Sequence, residues 1–111
     1  MGRFVPSPTV LTDLQVDGTT MVVDESNNRL GIGTASPQAA LDVAGNIFPS
    51  ADATHDLGSS SKRWDNIFTN DLHLANDRGD WTIIEEEEYL SIRNNKNGKM
   101  YKFVMEEIPE D

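Results

Sequence analysis

The chain has 111 residues and a formal net charge of −10, from 19 acidic and 9 basic side chains, with 37% hydrophobic residues. That balance argues against a phosphate-reading surface, because nucleic-acid affinity rests on Lys and Arg neutralising phosphates, and it gives no pull toward an anionic membrane. Cysteine is absent, which removes disulfides, thiolate metal sites and thiol nucleophiles and leaves oligomerisation as the staple open to so small a chain.

No apolar run approaches the roughly 20 residues of a membrane helix, so no membrane insertion is expected. The opening MGRFVPSPTV lacks the apolar core of a signal peptide, which implies cytoplasmic synthesis without secretion. Residues 1–9 carry Pro6 and Pro8 and little periodicity, so they read as extended, either a segment ordered against a partner or a frayed end. Val10 to Val16 suits a strand or a poor helix. Asp17-Gly18 marks a turn, the β-branched run Thr19 to Val23 a strand, and Asp24 to Asn28 the next turn.

From Asn27 to Ile47 the sequence reads NNRLGIGTASPQAALDVAGNI. Leu30 to Thr34 alternates large apolar residues with glycine, the period of a strand with one buried face. Ser36-Pro37 predicts the start of a short helical turn, with Ser36 as cap and Pro37 at the first helical position. Leu41 to Val43 returns to strand alternation before Gly45. Neither strand can bury its apolar side within so short a unit.

Phe48 to Gly58 reads as a loop. Ser59 or Ser60 then caps a predicted helical turn near Lys62, with Trp64, Ile67 and Phe68 spaced i, i+3, i+4. Leu72 and Leu74 flank His73 in a short strand, and Asn76 to Gly79 is a turn. Trp81 to Ile84, Tyr89 to Arg93 and Lys99 to Met105 read as a C-terminal three-stranded β-meander. Its last connection, Asn97-Gly98, favours a type I′ hairpin. Tyr101, Phe103 and Met105 form one expected apolar face of this meander, and Leu90 with Ile92 a second. About 30 residues of this kind are marginal alone.

Several constellations carry residue types that could do chemistry. Gly31-Ile32-Gly33-Thr34-Ala35-Ser36 lacks the third glycine and the βαβ setting of a dinucleotide loop. Asp24-x-Ser26-x-Asn28 starts like a calcium loop, but Arg29 and Ala35 replace the glycine and glutamate that such a loop requires; a self-bonded turn is the better reading. His55-Asp56 and His73 are the only histidines, and no nucleophile elbow accompanies them. A metal would need three copies of His73 about an axis. Glu85 to Glu88 reads as a solvated connection countered by Lys99 and Lys102. Arg78-Gly79-Asp80 falls at a turn and reads as an ordinary one. No catalytic residue, cofactor or metal site is assigned, and the chain is not expected to be an enzyme.

The stretch from Asn27 to Ile47 closely resembles a repeat common in bacteriophage tail-fibre and other virion-fibre proteins. DLGSSSKRWDNIFTNDLHL, residues 56–74, resembles a second fibre module, and GDWTIIEEEEYLSIRNNKNGKMYKFVMEEI, residues 79–108, resembles a segment of fibre-like proteins from T4-like phages that infect cyanobacteria. The resemblance implies an all-β, intertwined homotrimeric β-fibre, with Gly31 and Gly33 allowing backbones to approach closely at a threefold axis. It divides the chain into an N-terminal attachment segment with first strands (1–26), a fibre repeat (27–55), a second module with a helical turn (56–78) and the meander (79–111).

The expected trimer core is Leu30, Ile32, Leu41, Val43, Trp64, Ile67, Phe68, Trp81, Tyr101 and Phe103. Phe4, Val5, Pro6 and Pro8 would attach to other virion proteins. The implied role is a structural component of the virion, a short tail or capsid-decorating fibre assembled in the host cytoplasm and contributing to host-surface adhesion. The alternative is a small carbohydrate-binding β-module, with Tyr89 as a glycan contact alongside Trp81 and Tyr101.

Overall fold

The computed structural model describes residues 14–110, which are all-β, with no helix among them. The expected attachment residues Phe4, Val5, Pro6 and Pro8 lie outside the described residues. The chain divides between Leu57 and Gly58 into two units, each holding one four-stranded sheet.

The first sheet runs β1 (Leu14–Val16), β2 (Met21–Asp24), β3 (Arg29–Ile32) and β4 (Leu41–Val43), in that spatial order. The β1–β2 and β2–β3 pairs are antiparallel. Their turns use residues that tolerate positive φ: Asp17 and Gly18 in the first, Asn28 in the second. Asn28 also donates its backbone N–H to the Glu25 carbonyl.

β4 then pairs with β3 in parallel, Leu30 opposite Leu41 and Ile32 opposite Val43. Residues 33–40 make this crossover, fewer than the dozen or so that parallel connections ordinarily take. They cross the back of the sheet, where Pro37 is buried with Val22 and Gly31.

The helical turn expected at Ser36-Pro37 does not form. The donors that would open it are taken by side chains: the Ser36 N–H goes to Thr34 Oγ1 at 3.2 Å and the Gln38 N–H to Asp42 Oδ2 at 2.9 Å. The Pro37 carbonyl accepts Arg29 Nη1 at 3.2 Å. Helix nucleation fixes several residues for a single bond, so these competing bonds prevail over so short a stretch.

The second sheet runs β5 (Leu72–Ala75), β6 (Asp80–Glu85), β7 (Leu90–Asn94) and β8 (Met100–Lys102), every neighbouring pair antiparallel. The helical turn expected near Lys62 is also absent. Ser59 and Lys62 exchange backbone hydrogen bonds of 3.0 and 3.3 Å, and Ser59 Oγ accepts the same Lys62 N–H at 3.0 Å. Ser59 thus caps a tight turn rather than a helix. Gly58 enters that turn at φ 87° and the Trp64 ring lies against it.

The Asn97-Gly98 connection is wider than the two-residue hairpin expected. Gly98 alone of the pair has positive φ, at 76°, and the loop closes through Gly98 N–H to Asn94 O at 2.8 Å and Asn94 N–H to Lys99 O at 2.9 Å. β8 is shorter than the Lys99 to Met105 run suggests, because β7 begins at Leu90. Past the Phe103 N–H bond to the Leu90 carbonyl, β7 offers no further partner.

Candidate functional site

Register decides what each sheet offers to its surroundings. In the first sheet Val23, Leu30 and Leu41 form one cross-strand row, and Val16, Met21, Ile32 and Val43 form the next. Side chains alternate across a strand, so these seven share a single wholly apolar face. The opposite face holds Val22 and Gly31 under the Pro37 crossover. Among the described residues Val22, at 8% exposure, is the large apolar side chain that is buried.

The second sheet has a largely apolar face, with Asn94 opposite Trp81 and Glu85 opposite Leu90 at its two ends. Leu72, Ile83, Ile92 and Tyr101 form one row, Leu74 and Trp81 extend it on one side, and Leu90 and Phe103 on the other. The two apolar faces expected from Tyr101 with Phe103 and from Leu90 with Ile92 are therefore one. Ile92 stands directly opposite Tyr101, which puts both sets on the same side. Trp81 and Tyr101 lie with ring centroids 6.0 Å apart and tilted by 46°, and with Leu74 and Ile92 they line a shallow apolar concavity.

The reverse side of this sheet is polar. Thr82 is fully buried there, its hydroxyl 3.1 Å from His73 Nδ1 and accepting Asn95 Nδ2 at 2.9 Å. Asn95 also donates to Asp80 Oδ1 at 2.8 Å and accepts Arg93 Nε at 2.9 Å. Ser91 donates to Glu86 Oε1 at 2.9 Å. No buried side-chain polar atom among the described residues lacks a partner, so the network is internally satisfied and works as a polar core.

Seven of the ten expected core residues lie on the two sheet faces. Leu30, Val43 and Trp81 are half-buried, while Ile32, Leu41, Tyr101 and Phe103 are exposed on the two apolar faces. Trp64, Ile67 and Phe68 lie in the irregular stretch before β5, Phe68 at 94% exposure. The expected glycan contact Tyr89 is 37% exposed with Lys102 Nζ 4.7 Å above its ring. The expected core did not include Met21, Val23, Leu72, Leu74 or Ile83, and Leu90 with Ile92 were expected on a separate face; the period-two pattern signals each of them, but only pairing places them together.

The chemical constellations resolve into turns. His55 Nε2 meets Ser50 Oγ at 3.2 Å on an exposed loop. Asn76 Oδ1 accepts the backbone N–H groups of Arg78 and Gly79, and Asp80 is held by Asn95. Asp24 accepts both the backbone and side-chain N–H groups of Asn27. The Asn27 side-chain bond foremost holds its carboxyl below the ordinary carboxylate range; desolvation opposes it, and the backbone bond from Asn27 and the charge of Arg29 add to it. Lys99 sits at the opposite end of the sheet from Glu85 to Glu88 and does not counter that run. No family model, curated protein or solved structure matches the chain.

Proposed function

We propose that the chain is a structural component of a phage virion, a short intertwined homotrimeric fibre whose apolar faces are sealed by sister copies. The observation that carries this reading is that each sheet has one largely apolar face whose Ile32, Leu41, Leu72, Leu74, Tyr101 and Phe103 stand exposed within its own unit. Burying one Leu, Ile or Phe side chain is worth about 1.5–3 kcal/mol. Two half-exposed faces forfeit on the order of 10 kcal/mol, as much as the whole stability of an ordinary domain. Trp64, Ile67 and Phe68 add further apolar surface on a stretch with no strand of its own. The acidic charge, the absence of cysteine and the resemblance of residues 27–47, 56–74 and 79–108 to fibre modules agree with an oligomeric particle component.

Mass by light scattering in native buffer tests the reading: three chains per particle are expected, and a single chain that still unfolds cooperatively overturns it. Immunogold imaging of virions then separates tail from capsid.

A second reading, a carbohydrate-binding module, draws on the concavity lined by Leu74, Trp81, Ile92 and Tyr101, since sugar faces stack on aromatic rings. Quenching of Trp81 fluorescence by acrylamide in the assembled particle discriminates: strong quenching favours the module, weak quenching the fibre.

A further inference from the structure

The tripeptide Asn-Ile-Phe occurs twice, at residues 46–48 in the first unit and 66–68 in the second. Its two copies share one local structure. Each follows a bend, at Gly45 and Asp65, then runs four residues without strand, turn or bend, and ends at a second bend, at Ser50 and Asn70. Among the described residues, none bonds to a backbone group of 46–49 or 66–69. Phe48 is 82% exposed and Phe68 94%, each more than the isoleucine before it.

Other large apolar side chains stand exposed outside the strands, and charge separates them from these two strips. Leu57 follows Asp56, Trp64 sits between Arg63 and Asp65, and Met105 and Ile108 flank Glu106 and Glu107. Residues 44–50 and 66–70 hold no charged side chain, in a chain of net charge −10. Identical segments of sister copies repel where they carry like charges. Neutral, apolar strips are the ones that copies of so acidic a chain can bring together.

We infer that each Asn-Ile-Phe strip contacts its own counterparts in the other copies, with three Phe48 rings meeting in one layer on the threefold axis and three Phe68 rings in another. The assignment rests on the trimeric reading above and says which segments lie on its axis. Cyclic symmetry puts equivalent atoms of all copies at one height along that axis. A side chain that reaches the axis therefore meets its own counterparts rather than a different residue. Phenylalanine suits such a layer, because its rings pack edge to face and carry no polar group to satisfy.

Cysteines test this in the full chain, which has none of its own. Phe48→Cys and Phe68→Cys are made separately, and light scattering gives the particle mass for each and for the unaltered protein. In particles of three chains, mild oxidation should yield covalent dimers beside single chains at either position, since three thiols on an axis can join only in pairs. A short three-armed maleimide should convert the same particles to covalent trimers, to an extent that dilution does not change. Three-chain particles that fail to cross-link at either position, or that do so only as concentration rises, overturn the assignment and leave the trimer standing. A single folded chain in the unaltered protein overturns both.

A photoreactive phenylalanine analogue at position 48 or 68 covers the case in which cysteine breaks the assembly, because it keeps the ring. Mass spectrometry of its capture product should join residues 46–48 of one copy to 46–48 of another, and 66–68 to 66–68. Capture of any other segment overturns the assignment.

Discussion

Gly31 lies directly beneath the Thr34 carbonyl: a methyl group at position 31 would stand 2.5 Å from that oxygen and 3.4 Å from Pro37 Cδ. The closeness explains how residues 33–40 complete a parallel crossover without a helix. The backbone folds flat onto the sheet because position 31 has no side chain. Gly31→Ala forces the crossover outward and uncovers Val22, and overpacking of this kind costs about 1–3 kcal/mol. An unfolding free energy lower than wild type by that amount is expected from denaturant melts; an unchanged value would show that the crossover moves freely.

Gly98 provides a contrast. It has φ 76° and nothing within 4 Å of an added Cβ. Gly98→Ala therefore pays only the left-handed backbone penalty, about 1 kcal/mol. Its effect should be the smaller of the two, and thermal melts of both variants in one buffer compare them.

The Thr82 hydroxyl joins β5, β6 and the turn after β7 through His73 and Asn95. Asn95→Ala removes a donor from the buried Thr82 oxygen and from the Asp80 carboxylate together. Loss of a buried bond of this type costs about 1–3 kcal/mol. Faster amide exchange should follow in Asp80–Glu85 and Leu90–Asn94, while the first sheet stays unchanged. Equal acceleration in both sheets would show that the network is not local to the second.

Asp24 gives a pH dependence with a definite sign. Its folded carboxyl lies below the ordinary value, chiefly through the Asn27 side-chain bond. The stabilisation is thus fully present above the unfolded carboxylate range and is lost as pH falls through the depressed folded value. Melting temperatures measured downward from about pH 5 should fall more steeply for wild type than for Asp24→Asn; coincident acid limbs would contradict this.

A charge on either apolar face tests the proposed assembly. Leu30→Asp and Ile92→Asp each place a carboxylate where sister chains are proposed to seal the sheet. Burying an unpaired charge there is prohibitive. Each variant should lose trimer mass and β-sheet circular dichroism together, whereas a variant that keeps its fold as a single chain would argue that the face is solvent-facing by nature.

Much of the strand pattern was readable from local chemistry alone. The alternation at Leu30 to Ile32, Leu72 to Leu74 and Trp81 to Ile84, with turn residues between, corresponds to strands at those places. The helical turns expected at Pro37 and Lys62 do not form, because cap residues also serve turns. Ser59 bonds the Lys62 amide just as a helix cap bonds its third residue, and only the reciprocal Ser59–Lys62 backbone pair distinguishes the two. The polar network of Thr82, His73 and Asn95 left no local signal, since its members lie far apart along the chain.

Residue chemistry by itself determined that these segments would be short strands with one apolar side, because alternation and turn preference act over a few neighbouring residues. Tertiary structure alone decided which apolar sides coincide. Ile92 faces Tyr101 and Leu30 faces Leu41 because hydrogen-bond register couples distant segments, and a slip of one residue would turn every side chain of a strand to the other face.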